Sequence, residues 1–358
     1  MRRVARPSGA RLGGVVFDPV QDFSGRIAGV ILTTLLNAMR PTHRLRSIHE
    51  RLGTHVEVQV VARTRAHAEH AAGAALTEID RLSRVFNRFD PTSELCRWQA
   101  QGGAHVPLSL DLLRVLRLAD HWRTLSGGAF HPGADAFGML WRQAGVTGRE
   151  PTPGTLARQA SALRAEPWTL HPDGSATLHA RYPIGLNAIA KGYVVDCAAT
   201  VASRCPGVRS VLVNAGGDLR VIGGPGVQVP VADPFTVRDN APPLAQVRVR
   251  GAALASGGCP HRGYQVGDRR YSHVIDPRTG APVQDMPGVT VTAPECASAD
   301  ALATALSVMA PAAALALVND LPGCEALIVT AGGQRLSSAG WRSLRGQTGP
   351  GRLIPALR

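Results

Sequence analysis

Several stretches of the sequence carry side chains whose type and spacing could do chemistry. In ASADALATALSVM (297–309), Asp300 and Thr304 stand four apart, so a helix places both on one face. A carboxylate and a hydroxyl are hard oxygen donors of the kind Mg2+ takes, with only one or two carboxylates and several retained waters. The same pair also fits an aspartate complementing a helix dipole, with the threonine bonding back to a carbonyl. In GLNAIAKGYVVDCAA (185–199), Lys191 lies near the start of a predicted helix, where a phosphate would also meet backbone N–H groups. Gly192 permits close approach of a ligand or backbone, and Asp196 otherwise reads as a partner for a distant arginine. In YSHVIDPRTGAPV (271–283), His273 and Asp276 flank a strand end that feeds an Asp-Pro…Thr-Gly turn. An imidazole with a pKa near ~6.5 suits proton abstraction near neutrality, although a lone histidine is more often merely structural. VLVNAGGDL (211–219) and ALASGG (253–258) are glycine turns after apolar strands, which can aim backbone N–H groups at a ligand.

Composition sharpens one of these positions. Of the 39 basic residues, Lys191 alone is lysine. In a chain that otherwise uses arginine, this points to a place that needs a compact ammonium rather than a planar fork. The formal net charge of +13 comes from arginines scattered along the chain, and aromatics make up 4%. Without a basic run interleaved with stacking residues, nucleic-acid binding is not expected; a general attraction for phosphate-bearing ligands is. The 358 residues are 44% hydrophobic and 18% charged, ample for a sizeable core. The six cysteines (Cys96, Cys197, Cys205, Cys259, Cys296, Cys324) show no C-x-x-C and no zinc spacing, as free thiols in a reducing compartment would.

The elements that must position these groups follow from periodicity. Period-two alternation predicts a strand over 54–61, and helical spacing predicts helices over 65–85, 108–125, 188–204, 298–309 (with Ser298 as N-cap) and 311–319. Strand–turn–strand is expected over 208–222, single strands over 245–254, 270–275 and 289–292, and a closing hairpin over 326–336. Residues 151–174 read as a short helix and a hairpin, and 223–243 as loop with one strand. This order is mixed rather than strictly alternating, so the class is α+β. The apolar run 27–39 is too short for a bilayer-spanning helix, which takes about 20 residues. It reads as an atypical signal, a surface helix or sequence upstream of the working protein; no cysteine precedes Cys96 to anchor a lipid, and a cytoplasmic location is favoured over periplasmic export.

Taken in order, the motifs resemble those of the ApbE family of flavin transferases. The matching blocks are LGT (52–54), NRFDPTSEL (87–95), GGAFHPGADAFGMLW (127–141), AIAKGYVVD (188–196), VNAGGDL (213–219), SHVIDPRTG (272–280) and ADALATAL (299–306). The resemblance implies a domain over 47–345, with 1–46 an extension and 346–358 a tail. It implies mixed, T-fold-like sheets flanked by helices, with an FAD cleft between two lobes. The implied activity is Mg2+-dependent transfer of FMN from FAD to a Thr or Ser hydroxyl of an acceptor flavoprotein, with release of AMP, by a monomer or homodimer. FAD hydrolysis to FMN and AMP, or FAD binding without turnover, are the alternatives. On this resemblance Asp300, Thr304 and the Ala188 carbonyl would hold Mg2+, and Lys191, Val274, Leu52, Phe89, Ala129, Phe130 and His131 would lie along FAD. His273 would take the acceptor's proton, with Asp276 orienting the loop. The chain departs from the family where aspartate is usual at His131 and Gly185, and threonine at Gly133 and Ala255.

Overall fold

Alternating valines in HVEVQVV and its later counterparts build an antiparallel sheet with one face on the main core. The computed structural model describes residues 42–236, 241–258, 263–284 and 286–344. Among these, eight strands pair in chain order, each antiparallel to the next: β1 (His43–Arg51), β2 (Thr54–Ala62), β3 (Val208–Ala215), β4 (Asp218–Gly223), β5 (Ala253–Gly257), β6 (Gly288–Ala293), β7 (Glu325–Val329) and β8 (Arg335–Ser337). Val56, Val58 and Val60 of β2, Val211 and Val213 of β3, and Val289 and Val291 of β6 all point to one buried face. Leu212, Leu254 and Leu327 point to the other, as a period of two requires.

Three helices cover the first face. Helix α1 (Arg65–Phe86) starts at Thr64, whose hydroxyl accepts from the His67 N–H, and buries an alanine-rich stripe. After α2 (Glu94–Ala100), α3 (Leu110–Leu125), α4 (Asp135–Thr147) and α5 (Pro153–Leu163) comes α6 (Asn187–Ser203), which is buried on almost every side. An apolar helix without a polar stripe belongs in the middle of a core, and α6 lies between α1, the sheet and α7 (Cys296–Leu306). Helix α8 (Pro311–Asn319) follows against β7. The sheet's second face is partly covered by the hairpin Val227–Val231/Ala245–Val249 and by Trp341. A third, smaller core joins Phe137 and Trp141 of α4 to Leu163 of α5 and to Val266 and Ile275.

Most predicted elements stand where expected, with three instructive differences. The strand expected over 245–254 is two strands in different sheets, because Gly251, at φ 57°, turns the chain between them. The helix expected from Ser298 begins at Cys296 and ends at Leu306, and its N-terminus takes its cap from another helix. Helices α2 and α4 fall in blocks for which no helix was expected. The strand pairing opens at His43, ahead of residue 47, while the apolar run 27–39 lies outside the described residues. No described helix is long and apolar enough to cross a membrane. The five described cysteines are free, and Cys259 lies outside the described residues.

Candidate active site

Helices α6 and α7 touch at Gly192. A Cβ there would fall within 2.7 Å of the Ala297 Cα and closer still to the Cys296 carbonyl, so only glycine allows this approach. The Gly192 N–H donates to the Asp300 carboxylate at 3.4 Å. In an α-helix that N–H lies over the carbonyl four residues earlier, so the Asp300 carboxylate reaches the turn that carries the Ala188 carbonyl. Asp196, one turn further along α6, closes the arrangement. Its two oxygens accept from the Cys296 and Ala297 N–H groups, at 2.9 Å each, and so cap α7 from outside. Arg220 stands 3.7 Å from the same carboxylate. The arginine partner anticipated for Asp196 is therefore present, together with a cap that no local spacing announced.

Beside this crossing, Lys191 forms an ion pair with Asp218, whose side chain is 3% exposed. Burial works against the Lys191 charge, but Asp218 and Asp300 outweigh it and hold the ammonium protonated. Burial and then the neighbouring Asp218 push the Asp300 carboxyl well above the usual carboxylate range, with Lys191 opposing. With Lys191 already paired to Asp218, a further cation beside Asp300 would favour the charged form of its carboxyl, which burial and Asp218 disfavour. Thr304 lies one turn beyond Asp300, and its hydroxyl has no hydrogen-bond partner among the described residues, whereas the nearby Ser307 hydroxyl bonds back to the Ala303 carbonyl at 2.7 Å. The back-bonding alternative for Thr304 is thus not realised. Among the described residues no group of three His, Cys, Asp or Glu could hold a metal. An oxygen set with one carboxylate, as the resemblance implies for Asp300, Thr304 and the Ala188 carbonyl, would suit Mg2+ rather than zinc.

Ala188, Lys191 and Thr304 line a cavity of about 750 Å³. Asp300, itself 8% exposed, does not line it. His273 and Val274 line the cavity as well. They follow the strand Arg269–Ser272 and are backed by residues 281–283, with the Val283 N–H donating to the Val274 carbonyl at 2.8 Å. Asp276 does not line the cavity. Its carboxylate is held by the Arg278 guanidinium through two bonds of 2.8 Å, and Arg278 also donates to the Val308 carbonyl just past α7. The histidine-bearing loop is thereby tied to the helix that carries Thr304. On the other side of the loop, Gly280 packs against Phe137, and its carbonyl accepts from the Trp141 indole at 2.9 Å.

Ala129, Phe130 and His131 also line the cavity. His131 is clamped: its Nδ1 accepts from the Gly133 N–H, and its Nε2 donates to the Leu163 carbonyl, both at 2.9 Å. Burial lowers its pKa to about 4, so it is neutral here. Tyr182 fills the space that a side chain at Gly133 would need, and Ala255 points into the main core while Ser256 faces the cavity. Leu52 and Phe89 do not line the cavity. Leu52 sits at φ 55° in the tight turn between β1 and β2 and packs on the main core, and Phe89 is 81% exposed with the Arg88 guanidinium over its ring. Asp218 was overlooked as a site residue. The signal available was the solitary lysine, since a buried ammonium requires a buried carboxylate partner.

This arrangement matches a known family along most of the chain. The ApbE family model covers residues 52–328. The chain belongs to the ApbE family. Within it, the chain is 29% identical over 311 residues to the FAD:protein FMN transferase of Treponema pallidum, covering 81% of this chain and 85% of that one. It is 26% identical over 304 residues to the FAD:protein FMN transferase of Haemophilus influenzae, covering 80% and 86%. Its fold superposes on the ApbE protein of Thermotoga maritima with a TM-score of 0.72 at 26% identity, covering 86% of this chain and all of that one. The apo flavinyl transferase ApbE of Pseudomonas stutzeri shares the fold at a TM-score of 0.71.

Proposed function

We propose that this ApbE-family protein is an FAD:protein FMN transferase that moves FMN from FAD to a Thr or Ser hydroxyl of an acceptor flavoprotein and releases AMP. The observation that supports this reading is that Ala188, Lys191, Thr304 and His273 line one cavity, with the Asp300 carboxylate accepting from the Gly192 N–H beside Lys191. Asp300, Thr304 and the Ala188 carbonyl would hold Mg2+, which when bound would offset charge on the FAD diphosphate. Lys191, fixed by Asp218, adds a second positive charge that cannot swing away. His273 takes the proton as the acceptor hydroxyl attacks the FMN phosphorus, and the bond to the AMP phosphate breaks. One phosphoester forms, one diphosphate bond is lost, and AMP leaves with the displaced oxygen. The residues supply mainly position and field, as phosphoryl-group chemistry demands.

The test incubates the protein with FAD, Mg2+ and a flavodoxin-like acceptor, and reads flavin fluorescence on a denaturing gel. Wild type is expected to label the acceptor, and His273→Ala to bind FAD but lose about 100-fold or more in transfer, the usual worth of a general base. FMN and AMP appearing at the same rate without acceptor would make the protein a pyrophosphatase. Tight FAD binding with no turnover would make it a carrier.

A further inference from the structure

Gly185 poses a question that its backbone does not answer. Its φ lies outside the left-handed region, so the conformation there does not call for glycine. What excludes a side chain is Asp135. A Cβ on residue 185 would collide with the Asp135 carboxylate oxygen, and would lie 2.9 Å from its Cγ and 3.3 Å from Nη1 of Arg88. The Asp135 carboxylate, carried on the first residue of α4, thus occupies the space that any side chain on residue 185 would need.

The neighbourhood is built to hold that carboxylate. Arg88 donates from Nη1 to Asp135 Oδ2, and the pair is only partly exposed, at 22% and 36%. Asp135 Oδ1 has no hydrogen-bond partner among the described residues. The Gly185 N–H is pinned to the Pro132 carbonyl at 2.8 Å, which fixes the strand of chain against the start of α4. Asp135 and Gly185 both line the cavity that holds Lys191 and His273. An aspartate that merely complemented its helix dipole would not need a glycine cut out opposite it.

We propose that Asp135, steadied by Arg88, is the acidic positioning residue of the FAD site in this chain, supplied from α4 in place of a side chain at position 185. This rests on the FAD reading above. A fixed carboxylate oxygen accepts hydrogen bonds and repels phosphate, so its contact is with a hydroxyl- or amino-bearing part of FAD, not with the diphosphate. The two positions are alternatives: a carboxylate fits at 135 or at 185, but not at both.

The experiment measures FAD affinity by flavin fluorescence in the presence of Mg2+, with the melting midpoint of the unliganded protein as the fold check. Asp135→Asn, which preserves volume, is expected to melt like wild type and bind FAD about tenfold more weakly, the effect of losing a charged hydrogen bond. Gly185→Asp alone is expected to weaken binding by a similar factor through crowding and like charge. The double variant Asp135→Ala/Gly185→Asp is expected to return to within about threefold of wild type, far from the product of the single effects. Unchanged FAD affinity in Asp135→Asn, or a double variant no better than the worse single one, overturns the proposal while leaving the FAD reading intact. Wild type that binds no FAD removes that reading, and this inference with it.

Discussion

Half-buried Asp196 and buried His131 are driven in opposite directions, and each gives a signature in pH. Burial raises Asp196 from 3.8 to about 6, even though the two N–H groups at the start of α7 and Arg220 pull the other way. The folded chain therefore holds this proton more tightly than the unfolded one. The resulting stabilisation is fully present below 3.8 and is lost as pH rises through about 6. His131 does the reverse: with its pKa lowered from 6.5 to about 4, it takes stability away as pH falls through that range. Comparing wild type with Asp196→Asn at each pH cancels the histidine. From about pH 4 to about pH 7, urea midpoints of the two proteins are expected to shift in favour of the variant, by roughly 3 kcal/mol in all. A difference that does not vary with pH would show that Asp196 does not titrate differently on folding. In its neutral state His131 brings to the cavity an uncharged clamp, not a second cation.

At the scale of elements, the candidate site includes the crossing of α6 and α7, where Gly192 allows the close approach. Gly192→Ala places a methyl against the Cys296 carbonyl, so the helices must part or tilt. Overpacking of this kind costs about 1–3 kcal/mol. Denaturant unfolding should show that loss, together with weaker Mg2+-dependent FAD binding, since the same residue's N–H meets Asp300. Stability within about 0.5 kcal/mol of wild type would mean the contact is not tight. Much of this scale was legible in the sequence. The i, i+4 spacing of Asp300 and Thr304 put both on α7, and the alternation in 54–61 and the Gly216-Gly217 turn marked strands of the sheet correctly. The start of α7 was not legible, because its cap is Asp196, 100 residues away in sequence. Ser298 looked right locally, but a cap supplied by tertiary contact leaves no local trace. The break at Gly251 was hidden for a related reason: one glycine in an alternating run reads as a flaw in a strand until the pairing partners are known.

For the whole molecule, the chain-ordered sheet brings four distant segments to one cavity: the start of α6, the turn into β4 with Asp218, the loop at His273 and helix α7. The order of motifs announced that such a meeting occurs. It did not announce Asp218 or Asp135, because ion pairs and filled spaces depend on where elements end up, not on spacing along the chain. The central claim is that this meeting grips Mg2+ against the diphosphate of FAD. It is tested most directly by titrating FAD into wild type and Asp300→Asn at several Mg2+ concentrations. Wild-type affinity should rise with Mg2+. The isosteric variant should fold normally, bind FAD at least about tenfold more weakly at high Mg2+, since even outer-shell changes cost that much, and show no response to the metal. An Asp300→Asn protein whose FAD affinity climbs with Mg2+ as wild type's does would contradict the account.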